Sequence, residues 1–258
     1  LIVGSGFSGM WAAVSAARLS ALEGNNSLSI AVLAPVPELR VRPRFYEENV
    51  STMVAPLTEL FAELGIAFIS GEAQRIDTSS KTVLYRDSNG AIAEVNWERL
   101  ILATGSQTKR PPIAGLTEYA FDIDQLDSAR LFEQHLDSLV SRPSTPERNT
   151  VVVCGGGFTG IELATELPAR LRTRFGTDTK TKVIVVERGP TIGGRYSEAL
   201  RNTIEEASNA LDVEWRLNSE IEAIDASGVT LKNGERIASA TVVWTAGVEA
   251  NPLSLQID

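Results

Sequence analysis

A chain of 258 residues has room for two modest hydrophobic cores, and a composition of 43% apolar and 22% charged residues is that of a folded globular protein rather than a disordered one. Its net charge of −9 repels phosphate backbones and anionic lipid surfaces, so generic nucleic-acid and membrane-surface binding are excluded as expectations and any nucleotide is held by local chemistry. No apolar run approaches the roughly 20 residues of a transmembrane helix, Leu1-Ile2-Val3-Gly4 lacks the charged start of a signal peptide, and a cytoplasmic location is expected.

Residues 1–3 form an apolar strand that enters Gly4-Ser5-Gly6-Phe7-Ser8-Gly9, followed by a helical stretch to about Leu22 and a second strand over residues 28–33. That strand ends at Ala34-Pro35 with no carboxylate until Glu38. Short alternating strands are predicted over residues 68–97, turned at Asn89-Gly90, and a hydrophobic strand then runs into Ala103-Thr104-Gly105. Over residues 124–140, Leu131, Phe132, Leu136, Leu139 and Val140 recur at helical spacing, and Arg142-Pro143-Ser144-Thr145-Pro146 reads as a linker.

The same organisation then recurs. A strand over residues 150–154 enters Gly155-Gly156-Gly157-Phe158-Thr159-Gly160, a helix continues to about Phe175, and a strand over 182–187 ends in a carboxylate. Alternating strands over 213–237, turned at Asn233-Gly234, lead to Trp244-Thr245-Ala246-Gly247. Pro168 is expected to kink or end the second helix early. The short opening strand and the Asn-Pro turn just before Asp258 suggest a chain cut at both ends.

In a Gly-x-Gly-x-x-Gly turn the first glycine makes the bend, the second admits a pyrophosphate to the backbone, and the third lets helix pack on strand. The free N–H groups and positive end of the helix dipole hold phosphates without basic side chains, which suits an acidic protein. Both loops follow an apolar strand, open a helix, and carry a small residue, Ala13 or Ala164, four places beyond the third glycine. A carboxylate at the end of the next strand accepts from the adenosine ribose. Glu187 stands there, 187 − 160 = 27 positions past Gly160. It would repel a 2′-phosphate and favours NADH, whereas Arg188 beside it could pair with that phosphate and keeps NADPH as the alternative.

These loops, the Ala103-Thr104-Gly105 strand end with Gly115 downstream, Ile161-Glu162-Leu163-Ala164 and the Trp244–Gly247 ending together resemble the two-dinucleotide-binding-domain flavoproteins of the pyridine nucleotide-disulfide oxidoreductase superfamily. Within it the chain is most similar to type II NADH dehydrogenases and relatives of apoptosis-inducing factor. The resemblance implies an α/β fold: two Rossmann-like domains with parallel sheets, each with a small antiparallel meander, the NAD(P)H domain inserted in the FAD domain. It implies a first FAD part over residues 1–116, a connecting helix and linker over 117–148, an NAD(P)H domain over 149–245, and the start of a return to the FAD domain over 246–258. Gly4, Ser5, Gly6, Phe7, Ser8, Gly9, Ala34, Ala103, Thr104 and Gly105 would serve FAD. Gly155, Gly156, Gly157, Phe158, Thr159, Gly160, Glu187, Arg188, Ala246 and Gly247 would serve the second nucleotide unit. Glu162 would lie near the nicotinamide, or is simply a carboxylate favoured by the helix dipole. Arg42 faces the FAD phosphates or belongs to a solvated loop. The family's further Gly-Asp motif and C-terminal domain, to which a homodimer and a peripheral membrane contact would belong, are not seen.

The implied activity is transfer of a hydride from NAD(P)H to flavin and of electrons to a small acceptor such as a quinone. The single cysteine, Cys154, excludes a paired-cysteine redox centre within these residues and is read as core. No metal site is expected. His135, with Glu133, Gln134 and Asp137 nearby, is read as solvated rather than catalytic. A flavin monooxygenase and a non-catalytic nucleotide-sensing module are the competing readings.

Overall fold

The computed structural model describes residues 1–24, 27–194 and 196–257, so Asp258 lies outside the described residues. The chain forms two compact units. The first comprises Leu1–Val41, Val54–Gln107 and Glu249–Asp258, and the second Arg42–Met53 and Thr108–Val248.

In the first unit, Ile2–Val3 lies between Ala31–Ala34 and Ile101–Leu102 in parallel register, with Ile2 opposite both Val32 and Ile101. Side chains alternate across a strand, so neighbouring residues enter different cores. Ile2 and Val32 pack with Met10, Ala13 and Phe61 on one side, and Val3 and Leu33 with Ile76 and Val83 on the other. The helix Phe7–Leu22 covers the first of these cores. Beyond Ala31–Ala34 the sheet continues through Ala67–Asp77, Thr82–Asp87 and Ile92–Asn96. Ala67–Asp77 is one 11-residue strand, longer than the short strand expected. Its first part pairs parallel with Ala31–Ala34 and its second antiparallel with Thr82–Asp87. At the bulge between Ala73 and Arg75, the Ile76 N–H donates to Gln256 Oε1 at 2.8 Å.

The second unit holds a five-stranded parallel sheet in the order Ala120–Phe121, Thr241–Trp244, Thr150–Cys154, Lys182–Val186, Val213–Arg216. Val213–Arg216 is therefore its edge strand and not part of the meander, which is the antiparallel set Ile221–Asp225, Gly228–Leu231 and Arg236–Ala238. All five residues of Thr150–Cys154 are buried. Burial pushes the Cys154 thiol up to about 12, so it behaves as a core apolar group.

Several expectations are corrected here. The helix Phe158–Phe175 runs on through Pro168. An interior proline costs about 3 kcal/mol, and Leu163, Leu167 and Leu171, all fully buried on the same helix, offset it. On Leu126–Leu139 the buried stripe is Leu126, Ala129, Phe132, Leu136 and Leu139, while Leu131 is 59% exposed and Val140, just past the helix, 50%. Residues 117–148 fall within the second unit. Arg148 closes that helix, its Nε donating to the Leu139 carbonyl at 2.9 Å and its guanidinium lying 3.7 Å over the Phe175 ring. His135 is half-buried, not solvated: Nε2 bonds the buried Thr241 hydroxyl at 2.9 Å and the ring packs 4.4 Å from Phe121. Burial first, then Arg142, lower its pKa below the ordinary imidazole value.

The segment Arg42–Met53 lies between two strands of the first unit in sequence but is held in the second. Glu162, Glu166, Arg170 and Arg174 recur at the i, i+4 spacing of one helix face. Arg170, with only 1% of its side chain exposed, donates through Nη1 to the Tyr46 carbonyl at 2.8 Å and lies 3.9 Å from Glu48 and 3.8 Å from Glu133. Arg174 pairs with Glu48, and Arg42 with Asp124. Phe45 and Val50 are buried. Removing a buried ionic partner strands the charges it faced. Arg170→Ala is thus expected to destabilise the second unit by about 3 kcal/mol in urea denaturation, and a loss below about 1 kcal/mol would show that Arg170 does not hold the segment.

Candidate functional site

The two glycine loops have the same geometry. Gly4 has φ +109° and Gly155 φ +113°, in the region glycine tolerates and L residues avoid. Their N–H groups extend the sheets, donating to the Leu33 and Val186 carbonyls at 2.9 Å each. A Cβ on Gly4 would overlap the Ala103 carbonyl oxygen, and one on Gly155 would come within 2.9 Å of the Ala246 Cα. A Cβ on Gly9 would overlap the Gly4 carbonyl oxygen, and on Gly160 that of Gly155. Ala103 and Ala246 therefore meet the loops. Thr104 follows directly, and Gly105 and Gly247 each take positive φ at the turn beyond. Thr245, which the sequence did not single out, donates its hydroxyl to the Cys154 and Gly155 carbonyls at 3.0 and 3.1 Å.

The middle glycines differ from the others. Gly6 has φ −66° and Gly157 φ −78°, values any residue adopts, and a Cβ on either would meet nothing within 4 Å. Neither conformation nor packing calls for glycine there, whereas a ligand lying on the backbone does. Both cap their helices without a side-chain hydrogen bond, and neither first turn carries an acidic residue. The first intrahelical donors are Met10 and Ile161, so the N–H groups ahead of them lack intrahelical acceptors. Gly6, Phe7 and Ser8 are exposed, as are Gly157, Phe158 and Thr159. Each loop is thus a cradle of free donors at a helix N-terminus, suited to a dinucleotide pyrophosphate.

The loops diverge at the strand that follows. In the second, Glu187 Oε2 accepts from the Gly156 N–H and Oε1 from the Gly189 N–H, both at 2.7 Å, which leaves lone pairs for ribose hydroxyls. Arg188 is exposed beside it; Glu220, whose carboxyl is lowered first by its bond with Lys232, also feels the Arg188 charge. In the first, Ala34 is buried and the Ser5 hydroxyl donates to the Val36 and Glu38 carbonyls at 3.3 and 3.1 Å. The Glu38 carboxylate is engaged with Arg40.

Arg42 lies in the second unit, its Nε donating to the Asp124 carbonyl at 3.0 Å and its Nη2 to the Asp124 carboxylate. Glu162, on the second loop's helix, is half-buried. Burial first, then Glu47, raises its pKa above the usual carboxylate range. Burial first and then Glu162, Glu47 and Glu166 raise the Tyr46 hydroxyl, which sequence reading passed over. Phe158 is exposed with its ring 4.6 Å from that of Tyr196. Among the described residues no group of His, Cys, Asp and Glu forms a metal site, and no helix is long and apolar enough to cross a membrane.

Comparison with known proteins matches these features. The chain is 38% identical over 263 residues to an NADH dehydrogenase-like protein of Mycobacterium tuberculosis, covering 100% of this chain and 64% of that protein. It is 30% identical over 260 residues to the demethylphylloquinone reductase of a Synechocystis species, covering 98% and 62%. It thus spans less than two thirds of these relatives. In fold it resembles NDH2 of Plasmodium falciparum, solved in complex with NADH, with a TM-score of 0.85 at 15% identity over 99% of this chain and 56% of that one. The profile of the pyridine nucleotide-disulphide oxidoreductases covers residues 1–258. A match along the whole chain settles its kinship: it belongs to the pyridine nucleotide-disulphide oxidoreductase family.

Proposed function

We propose that the protein is an FAD-dependent NAD(P)H:acceptor oxidoreductase, with FAD on the Gly4–Gly9 loop, NADH on the Gly155–Gly160 loop and a quinone as acceptor. The observation that carries this reading is that Gly6 and Gly157 are glycines with nothing in the fold to require it, each at an uncapped helix end. When bound, the two cofactors supply the hydride and electron chemistry. The chain's part is to bind and orient: Gly6 and Gly157 open the backbone, the helix ends neutralise pyrophosphate, and Glu187 accepts from the ribose. A quinone acceptor is supported by the demethylphylloquinone reductase among the relatives, and by a second relative named a type II NADH:quinone oxidoreductase. Glu162, whose carboxyl is raised, would hold its proton to higher pH than a free glutamate and is proposed to face the nicotinamide end of the second site.

Anaerobic titration of the full-length protein with NADH, then NADPH, tests the function: bleaching of a yellow flavin spectrum is expected, and a colourless or unreduced protein overturns it. Because neither middle glycine is packed, their variants should fold and separate the two sites. Gly6→Val should lose the flavin. Gly157→Val should keep it and weaken NADH by ~100-fold, about 2.8 kcal/mol; unchanged NADH affinity would remove the second loop from the site.

Glu162 provides a pH test. A carboxyl raised in the fold favours the protonated form, so its stabilising share is complete below the unfolded value of 4.5 and is lost as pH rises through the folded value. The Tm of Glu162→Gln relative to the unmodified protein should therefore climb from about pH 4 to pH 8. A flat difference would show that Glu162 is not desolvated in solution.

A further inference from the structure

The two loops solve their second position differently. Ser5 occupies it in the first and ties itself to the segment beyond the next strand through its hydroxyl. Gly156 occupies it in the second, outside the positive-φ region, so backbone conformation does not require glycine there. Its neighbours do. A Cβ on Gly156 would lie 2.8 Å from Cζ3 of Trp215 and 3.1 Å from Oε2 of Glu187. The indole and the carboxylate thus close on one point of the loop, and the carboxylate is bonded there by the Gly156 N–H at 2.7 Å. Trp215 stands on the sheet's edge strand, opposite Val185 two residues before Glu187 on the adjacent strand. Its indole Nε1 is buried without an acceptor among the described residues. An unpartnered N–H is a cost that a purely apolar side chain would avoid, so no hydrogen bond of the indole among the described residues accounts for it and its contribution there is shape and reach.

Resting on the assignment of NADH to the second loop, we infer that Trp215 is a positioning residue for cofactor choice: its ring pins Gly156, and through the Gly156 N–H holds the Glu187 carboxylate where it accepts from a free ribose and repels a 2′-phosphate. With the ring gone, the loop backbone can move away, Glu187 loses its fixed donor and swings aside, and the barrier to the phosphate falls. The same arrangement explains why the second loop has glycine at position 156, where the first loop has Ser5.

The test compares dissociation constants for NADH and NADPH in the full-length protein with its flavin first reduced under anaerobic conditions, so that the added nucleotide is not oxidised, read from the fluorescence of the bound nicotinamide. Trp215→Ala should narrow the preference for NADH about tenfold, chiefly by weakening NADH. Gly156→Ala, which pushes on the same contact from the other side, should narrow it in the same direction and serves alone where Trp215→Ala does not fold. In a Glu187→Gln background neither change should move the preference further, because both act through the carboxylate. Proportionate weakening of both nucleotides with the preference intact overturns the inference, as does an equal shift in preference without the carboxylate; both leave NADH on the second loop. Failure of the unmodified protein to bind NADH overturns that assignment itself, and the inference with it.

Discussion

Each loop rests on a contact that only a missing Cβ permits: the backbone of one strand end pressed onto the Cα of the first glycine of another. At Gly4 the partner is the Ala103 carbonyl, at Gly155 the Ala246 backbone, and in both loops the third glycine lies against the carbonyl of the first. This close approach brings the return strand beneath the loop and starts the helix within one turn of the strand's end. The N–H groups of the first helical turns, ahead of Met10 and Ile161, then lack intrahelical acceptors. The free anion-binding face follows from the tight packing behind it.

On that shared frame the two copies diverge where a dinucleotide would differ. The first has a buried alanine at its strand end and a serine in the loop whose hydroxyl is taken up by backbone carbonyls. The second has a glutamate braced by two N–H groups and an indole against the loop. A repeat that looks symmetric in its glycines is asymmetric in every group able to read a ribose.

Much of this was legible in the sequence because it depends on local chemistry. The glycine spacing, the Thr150–Cys154 strand and the position of Glu187 follow from turn geometry and apolar runs. What escaped depends on partners far along the chain. Val213–Arg216 reads as a meander strand because its alternation says nothing about whether its neighbour is parallel. Trp215 matters only through a glycine 59 positions earlier in the numbering. Pro168 reads as a kink or an early helix end, and the helix does not end there because of the burial of Leu167 and Leu171, a tertiary effect. Arg42 reads equally as a phosphate contact or as part of a solvated loop, and nothing local announces its pairing with Asp124.

The segment Arg42–Met53 carries a consequence for how the chain is made. Synthesised early, it finds its place in the second unit only with residues made much later: Glu133 and Arg130 of one helix, Arg170 and Arg174 of the next. Until the chain has been made as far as Arg174, the groups that bond Tyr46, Glu48, Val50 and Ser51 are not all present. The nascent first unit must therefore carry an unfinished apolar loop through the synthesis of more than a hundred residues, a window in which a chaperone, or a mispaired neighbour, has something to hold.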